Sequence, residues 1–386
     1  MTRVRTLVVV LAGGAGGRLE LLTERRAKPA VPFAGTHRLI DFPLSNCHNA
    51  GLADVWVAQQ FNPISLSDHL ANGRPWDLDR TSGGLLLLQP RLGHDEREGF
   101  QQGTADSLWR NAPLIREFGP EALVVLSADA VYAQDYGALV EEHVESGAAV
   151  TMVTTEVEPE DAGRYGVVQV RDGEVREYEY KPDEPEGNLV ANEVFVFEPG
   201  ALLRTLEDVD TEGDLGDELL PRLVDAGDAR EHRFDGYWRD VGTVPAYWEA
   251  HQDLLTETPP IDLDDPDWPI LTHAAARRGA ARVLPGAQIA ESLLASAATV
   301  AGTVERSVIG RGAVVEAGAT VRESVLLPGA IVREGATVER AVLDDAVEVA
   351  RGATVGAAGG EIALVGLRTT VKEDVPAGGR HPEPDA

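Results

Sequence analysis

The chain has 386 residues, 34 of them basic and 64 acidic, which gives a net charge of −30 at neutral pH. That charge repels phosphodiester backbones and anionic lipid headgroups, both of which bind proteins through Lys and Arg, so nucleic acid and membrane surfaces are excluded as partners. With 43% apolar residues, and with 40 Gly and 23 Pro spread as turn punctuation, the sequence supports buried cores over a length that suits two domains, and it excludes disorder for most of the chain.

The short apolar run Leu7 to Ala12 passes directly into glycines, so it reads as a buried first strand and not as a signal peptide. No apolar stretch of about 18 residues follows anywhere, which excludes a membrane-spanning helix. The single cysteine, Cys47, cannot form an internal disulfide, and this predicts an inert buried thiol in a reducing, cytoplasmic setting. Lysine occurs only at 28, 181 and 372, which leaves 31 arginines (34 − 3). Adaptation to high salt and a GC-rich coding sequence account for that bias equally well.

In chain order, residues 7–12, 55–58 and 123–127 are short β-branched runs separated by amphipathic stretches, the pattern of parallel strands with helical crossovers. Helices are predicted at 105–118, with Thr104 and Asp106 as cap candidates, and at 135–146. Asp129 falls just past a strand's carboxyl end, where open α/β sheets bind ligands. Residues 256–270 hold four prolines and five carboxylates, which disfavour helix and strand alike and mark a linker taken as 256–275.

Three segments beginning at Ser307, Ser324 and Ala341 then superimpose with a period of 17 residues, their aliphatics at steps of six, six and five. Each side of such a coil is one short strand with an inward aliphatic residue, and stacked coils bury a core that no single coil could bury alone. A left-handed parallel β-helix is predicted over 276–372, with about three regular coils, one irregular coil before them across 292–302, and a tail over 373–386 that is disordered from His381 on.

Chemistry concentrates near the start. Ala12-Gly13-Gly14-Ala15-Gly16-Gly17-Arg18 follows the first strand; its glycines let backbone N–H groups face an anion, and Arg18 adds a fixed cation. Arg25-Arg-Ala-Lys28-Pro-Ala-Val and Arg38-Leu-Ile-Asp-Phe-Pro follow. With Gly103-Thr-Ala-Asp106, Tyr165-Gly166-Val-Val, Tyr237-Trp-Arg-Asp240-Val-Gly-Thr, Asp267-Trp-Pro-Ile and the coil, the chain resembles the ADP-glucose pyrophosphorylases, the glucose-1-phosphate adenylyltransferases of glycogen and starch synthesis, nearly end to end.

The resemblance implies a Rossmann-like nucleotidyltransferase domain over 1–255, with a mixed, mostly parallel sheet. It implies transfer of AMP from ATP to glucose 1-phosphate with release of pyrophosphate, in the presence of Mg²⁺. Charge spreads over the reacting phosphates in such a step, so fixed cations and N–H donors lower the barrier. On this reading Arg18 and the loop 13–17 hold the β- and γ-phosphates, Lys28 sits near the reacting phosphate, and Asp129 and Asp240 hold the metal through hard oxygens. Gly103 and Asp106 line the ribose or base, and Lys181 faces the sugar phosphate. The resemblance further implies a homotetramer with anionic allosteric metabolites bound between the domains, with Arg25 as the sensing residue. No His lies between His273 and His381, so the coil lacks the general base that hexapeptide acyltransferases usually employ, and it reads as an oligomerisation and regulatory module.

The sugar end departs from the family pattern. Tyr180 stands where the family has the Glu of Glu-Lys-Pro, Ala191 where it has Ser, Glu193 where it has Gly, and Gln101 where it has Tyr; only Gly166 and Lys181 remain of that set. Ala130 replaces a family His, and Asp217 stands where a basic residue is usual. Three readings follow: an adenylyltransferase for glucose 1-phosphate or a related sugar phosphate, a regulatory homologue with weak or no catalysis, and a nucleotidyltransferase of another base or sugar class.

Overall fold

A computed structural model describes residues 4–14, 16–89, 103–209, 213–273 and 279–383. Ala15 and Gln101 lie outside the described residues.

The first domain is built on a nine-stranded mixed sheet in the order Gly84–Leu88, Asp54–Gln59, Thr6–Ala12, Ala122–Ser127, Leu189–Phe197, Val150–Glu156, Ala229–Arg233, Glu174–Tyr180, Gly166–Arg171. Its first four strands are parallel; Val8 pairs with Val55 on one side and Val124 on the other. These strands are almost continuously apolar because both sheet faces are covered, one by the cluster around Val8, Val57 and Tyr136, the other by that around Leu7, Phe197 and Leu223. Beyond them Leu189–Phe197 runs antiparallel to both neighbours and also reaches Gly166–Arg171. The sheet therefore has a parallel half and a largely antiparallel half, and the glycine loop opens at the carboxyl end of the first.

The two helices read from the sequence are Thr104–Phe118 and Tyr136–Ser146. Asp135 caps the second by accepting from the N–H groups of Gly137 and Ala138. The first has Gly103 at its N-cap and so no side-chain cap; the Thr104 hydroxyl, a cap candidate from the sequence, donates instead to Asp214 at 3.2 Å.

Residues 256–270 form no helix or strand, as their prolines dictate, yet the segment is strapped to the first domain. Trp268 Nε1 donates to Asn46 Oδ1 at 2.9 Å, and the Leu271 N–H donates to Ser45 Oγ at 2.8 Å.

The second domain is a three-sided coil of short parallel strands in sheets of six, five and six. Pairing starts at Arg282–Val283 and continues to Arg380–His381, so the coil begins ahead of the irregular turn read from the sequence and runs on into the stretch read as a tail. The partners Leu293, Val308, Val325, Val342 and Leu364 show why the repeat faded at both ends: the steps are 15, 17, 17 and 22 residues (308 − 293, 325 − 308, 342 − 325, 364 − 342). At one corner Arg306, Glu323 and Arg340 are left-handed, with φ near +44°, and the next residue is stitched between coils. The Ser324 N–H donates to Ser307 Oγ, and the Ala341 N–H to Ser324 Oγ. The interior is a column of Val, Ile, Leu and Ala.

One outer side of the coil is not solvent-facing. Val308, Val325, Val342 and Leu364, one from each successive turn, share a continuous core with Leu19, Leu22, Phe33 and Trp248 of the first domain. Trp248 Nε1 also donates to the Glu323 carbonyl at 2.7 Å, and the Arg340 guanidinium stacks 4.5 Å from the Trp248 ring. Burying this face sets the second domain against the segment that carries the glycine loop.

Candidate active site

A cavity of about 700 Å³ opens at the carboxyl ends of the parallel strands. Ala12, Gly13, Gly14, Gly16 and Arg18 line one end of it. Gly14 and Gly17 have open space where a side chain would project, which leaves their backbone free to approach a ligand. Gly16 has a different reason to be glycine: its φ is +70°, and a Cβ there would lie 2.9 Å from Thr23 Cγ2 and 3.1 Å from Lys28 Cβ. Thr23 Oγ1 donates to the Gly16 carbonyl at 2.9 Å, which fixes the loop against the Lys28 segment.

Lys28 is buried, and its ammonium joins two acids that are distant in sequence. Nζ lies 2.6 Å from Asp129 Oδ2 and 3.7 Å from Asp240 Oδ1. The acids meet because Trp238–Asp240 pairs antiparallel with Ala130–Tyr132, which puts Asp240 opposite Ala130, next to Asp129. Ser127 Oγ donates to Asp129 Oδ1, and Arg164 Nη2 donates to Asp240 Oδ2 at 3.0 Å. Arg18 is close as well: a side chain at Gly242 would fall 3.2 Å from Arg18 Nη2 and 3.0 Å from Asp240 Oδ1. Lys28 thus holds the carboxylates together, a placement the sequence, which set it beside the reacting phosphate, did not indicate.

Charge separates the two acids. Burial disfavours ionisation of Asp129, but the Lys28 ammonium and the hydrogen bonds outweigh it and hold the carboxyl below its ordinary value. Burial and the neighbouring Asp129 charge push Asp240 up. Burial also works against the charged form of Lys28, and the two carboxylates more than offset it.

The opposite end of the cavity is the antiparallel half of the sheet. Gly166 pairs with Tyr180 on one side and Ala191 on the other, so three positions read separately from the sequence stand in one row. A Cβ at Gly166 would run into the Tyr178 ring, and one at Gly216 into the Tyr180 ring, so glycine at both positions lets the aromatics lie against backbone. Tyr180 Oη donates to Asp214 Oδ2 at 2.8 Å, and Lys181 Nζ donates to Tyr180 Oη at 2.5 Å. Lys181 thereby covers the Tyr180 ring, with its ammonium 4.3 Å from the centroid. Asp214 is held in turn by the N–H and hydroxyl of Thr104. Glu179 is exposed, on the other face from Tyr180, as strand alternation requires.

Gly103 lines the cavity with φ +92°, and a Cβ there would sit 2.1 Å from the Gly213 carbonyl, so the loop carrying Asp214 can approach only a glycine. Asp106 is placed differently from the sequence reading. It is buried on the helix side, its Oδ2 accepts from Arg110 Nε at 2.8 Å, and Thr104 and Ser107 line the cavity in its stead. Arg25 is exposed and outside the cavity lining, while its neighbour Arg26 is buried against the coil.

Sequence reasoning missed Asp214, Ser127 and Arg164. Ser127 had a signal, two residues before Asp129 at a strand end. Asp214 and Arg164 had none, because their roles depend on contacts with distant strands. Cys47 is buried, and burial pushes its thiol well up, as its inert reading requires.

Comparison with known proteins agrees with this architecture. Residues 7–257 match the Nucleotidyl transferase family, and residues 280–361 match the GlmU-like C-terminal hexapeptide family, the repeat of left-handed β-helices. A glucose-1-phosphate adenylyltransferase of Thermotoga sp. (strain RQ2) is 42% identical over 324 residues, covering 81% of this chain and 76% of its own. The enzymes of that name from Thermomicrobium roseum and Bacillus licheniformis are 43% and 40% identical, covering 76% and 78% of this chain and 69% and 81% of their own. A glycine loop at the strand ends, two acids gathered on one lysine behind it, and a hexapeptide coil packed against the same segment therefore occur together in a chain that belongs to the glucose-1-phosphate adenylyltransferase family of nucleotidyl transferases.

Proposed function

We propose that the protein transfers AMP from ATP to the phosphate of glucose 1-phosphate, giving ADP-glucose and pyrophosphate for α-glucan synthesis. The gathering of Asp129, Asp240 and Lys28 beside Arg18 at the mouth of the glycine loop carries this reading. A phosphate oxygen of the sugar phosphate attacks the α-phosphorus, the bond from that phosphorus to the β-bridging oxygen breaks, and pyrophosphate leaves with the electron pair. Arg18 and the loop N–H groups stabilise the charge that collects on the leaving group.

The residues suit Mg²⁺. Asp129 and Asp240 already share one cation, the Lys28 ammonium, and two hard carboxylates with water and phosphate oxygens completing the shell are what this ion takes. When bound, the ion would supply charge neutralisation at the reacting phosphates. Asp129, Asp240 or both would hold it, and Lys28 would then be free to turn its ammonium toward phosphate.

Two finer readings accompany this. Arg25, exposed beside the buried Arg26, senses anionic allosteric metabolites between the domains of a homotetramer; its position at that junction supports the reading. A cytoplasmic location fits the lone buried cysteine, and among the described residues no helix is long and apolar enough to cross a membrane. The altered sugar end, with Tyr180, Ala191 and Glu193, favours a second functional reading: a different sugar 1-phosphate, or a regulatory homologue with little catalysis.

Pyrophosphate release with ATP and Mg²⁺ against a panel of sugar 1-phosphates, at low and high KCl, tests these readings. Release with glucose 1-phosphate is the expected result. Release with another sugar phosphate alone would transfer the proposal to that substrate, and silence with ATP still bound would favour the regulatory homologue.

A further inference from the structure

Glu193 carries two costs at once. Its backbone is left-handed, with φ +63°, a conformation that disfavours any residue with a Cβ. It lies where the pairing of Leu189–Phe197 with Val150–Glu156 shifts register, between Ala191 and Phe195, so the strand is bulged there. The side chain lines the cavity next to Ala191 and Gly166, yet no hydrogen bond or ion pair reaches its carboxylate among the described residues. The two lysines nearby are committed elsewhere: Lys28 to Asp129 and Asp240, Lys181 to Tyr180 Oη.

A strained backbone combined with an unpartnered carboxylate at a cavity wall is a combination that a glycine would relieve, and strain of this kind persists where it serves a site. The carboxylate is partly exposed in the cavity, so an occupant that displaces water from this end must bring a donor to it. We infer that Glu193 is the specificity-determining residue of the sugar end, its carboxylate accepting a hydrogen bond from a ring hydroxyl of the sugar 1-phosphate opposite the Tyr180–Asp214 pair. This rests on the adenylyltransferase reading and deepens it: the acceptor missing at Tyr180 and Ala191 is supplied from one bulged position two residues beyond Ala191 on its strand.

Electrostatics are consistent with that geometry. Burial, and then the charges of Asp129 and Asp240, push Glu193 up to about 7, while Lys28 and Lys181 pull the other way. A hydroxyl donor relieves an ionised carboxylate in that surrounding without adding charge.

The test is a substrate and variant cycle on the full chain. Glu193→Gln and Glu193→Gly are assayed for pyrophosphate release with glucose 1-phosphate and with its 2-, 4- and 6-deoxy analogues, alongside thermal melting. Assayed at pH 8, where the carboxylate is ionised, loss of this hydrogen bond should lower kcat/KM for glucose 1-phosphate by about 10- to 100-fold in both variants, with the KM for ATP changed by less than about threefold. One deoxy analogue should be poor with the unaltered protein and lose nothing further with Glu193→Gln, and Glu193→Gly should melt at a higher temperature than the unaltered protein. Equal penalties for every analogue with and without the carboxylate would overturn the inference alone, as would an unchanged kcat/KM for glucose 1-phosphate in both variants. No release from the unaltered protein with any of these sugar phosphates would overturn the adenylyltransferase reading and this inference together.

Discussion

Arg380, in the last strand of the coil, grips Glu20 with two nitrogens: Nε bonds Oε2, and Nη2 bonds Oε1 at 3.0 Å. Glu20 is two residues from Arg18, in the 3-10 segment Gly17–Leu22, and is itself left-handed with φ +53°. Arg380 is anchored in turn by its Nη1, which donates to the Ile362 and Gly378 carbonyls at 2.8 and 2.9 Å. The end of the second domain therefore holds the segment that carries Arg18. Arg380→Ala should raise the KM for ATP by about two- to tenfold, with the melting temperature little changed, because the pair is partly exposed. Steady-state kinetics beside a melting curve check this.

A second tie, Arg26 to Asp344, is buried on both sides, with Nη2 2.8 Å from Oδ1. Arg26 Nη1 and Asp344 Oδ2 have no partner among the described residues, and burial, against the pull of Arg26, pushes Asp344 up to about 6. A pair with this geometry offsets its desolvation poorly, while a survivor is worse: among the described residues Asp344 alone keeps no cation, and Arg26 alone keeps only Asp345, 3.7 Å from its Nη2. Arg26→Ala or Asp344→Ala should each cost about 3–5 kcal/mol, and Arg26→Met with Asp344→Leu should cost less than either alone. Urea unfolding of the four proteins gives the comparison.

Acid should act through His251. It is fully buried, its Nε2 accepts from the Ala34 N–H at 3.1 Å, and its Nδ1 donates to the Tyr247 carbonyl at 2.8 Å, so the neutral ring fits and the protonated ring does not. Burial lowers it from 6.5 to about 4. The folded value lies below the unfolded one, so its contribution is fully present above pH 6.5 and is lost as pH falls toward 4. At ~1.4 kcal/mol per pH unit, roughly 3 kcal/mol is at stake, and His251→Gln should flatten that limb of the stability profile.

Asp129→Asn should abolish Mg²⁺-dependent turnover while far-ultraviolet dichroism and the melting profile remain those of a folded protein. The Asn side chain keeps one carbonyl oxygen for Lys28, its amide N–H can donate to the Ser127 hydroxyl that now serves as acceptor, and Asp240 still pairs with Lys28 and Arg164. Turnover that survives with its metal dependence intact would refute the metal role.

The glycine loop, the parallel strands and the 17-residue coil were legible because each is written locally, in φ requirements or a fixed period. Asp129 and Asp240 were legible as separate strings, while the lysine between them became a bridge only through the pairing of Trp238–Asp240 with Ala130–Tyr132. Asp106 misled because a helix start offers the same residue as cap, ligand or ion-pair partner, and here Arg110 one turn on takes it. The ties at Glu20 and Arg26 join residues 360 and 318 positions apart, and no pattern in either segment encodes its partner. Glu193 announced itself as a departure from the family pattern, but its left-handed backbone follows from a bulge that only the register of three strands defines.

The stacking of Val308, Val325, Val342 and Leu364 against the first domain makes the coil a ruler. Taken alone, such a repeat would tolerate one turn more or fewer, since every turn presents the same edges to the next. Removing a turn here would carry the residues beyond it about one strand spacing, ~4.8 Å, along the coil axis. That is farther than either Arg380 could follow Glu20 or Asp344 could follow Arg26 without breaking contact. Turn number is thus fixed from outside the repeat, by two ionic marks read against the neighbouring domain, so a turn can be added without breaking either only beyond the last mark or ahead of the first.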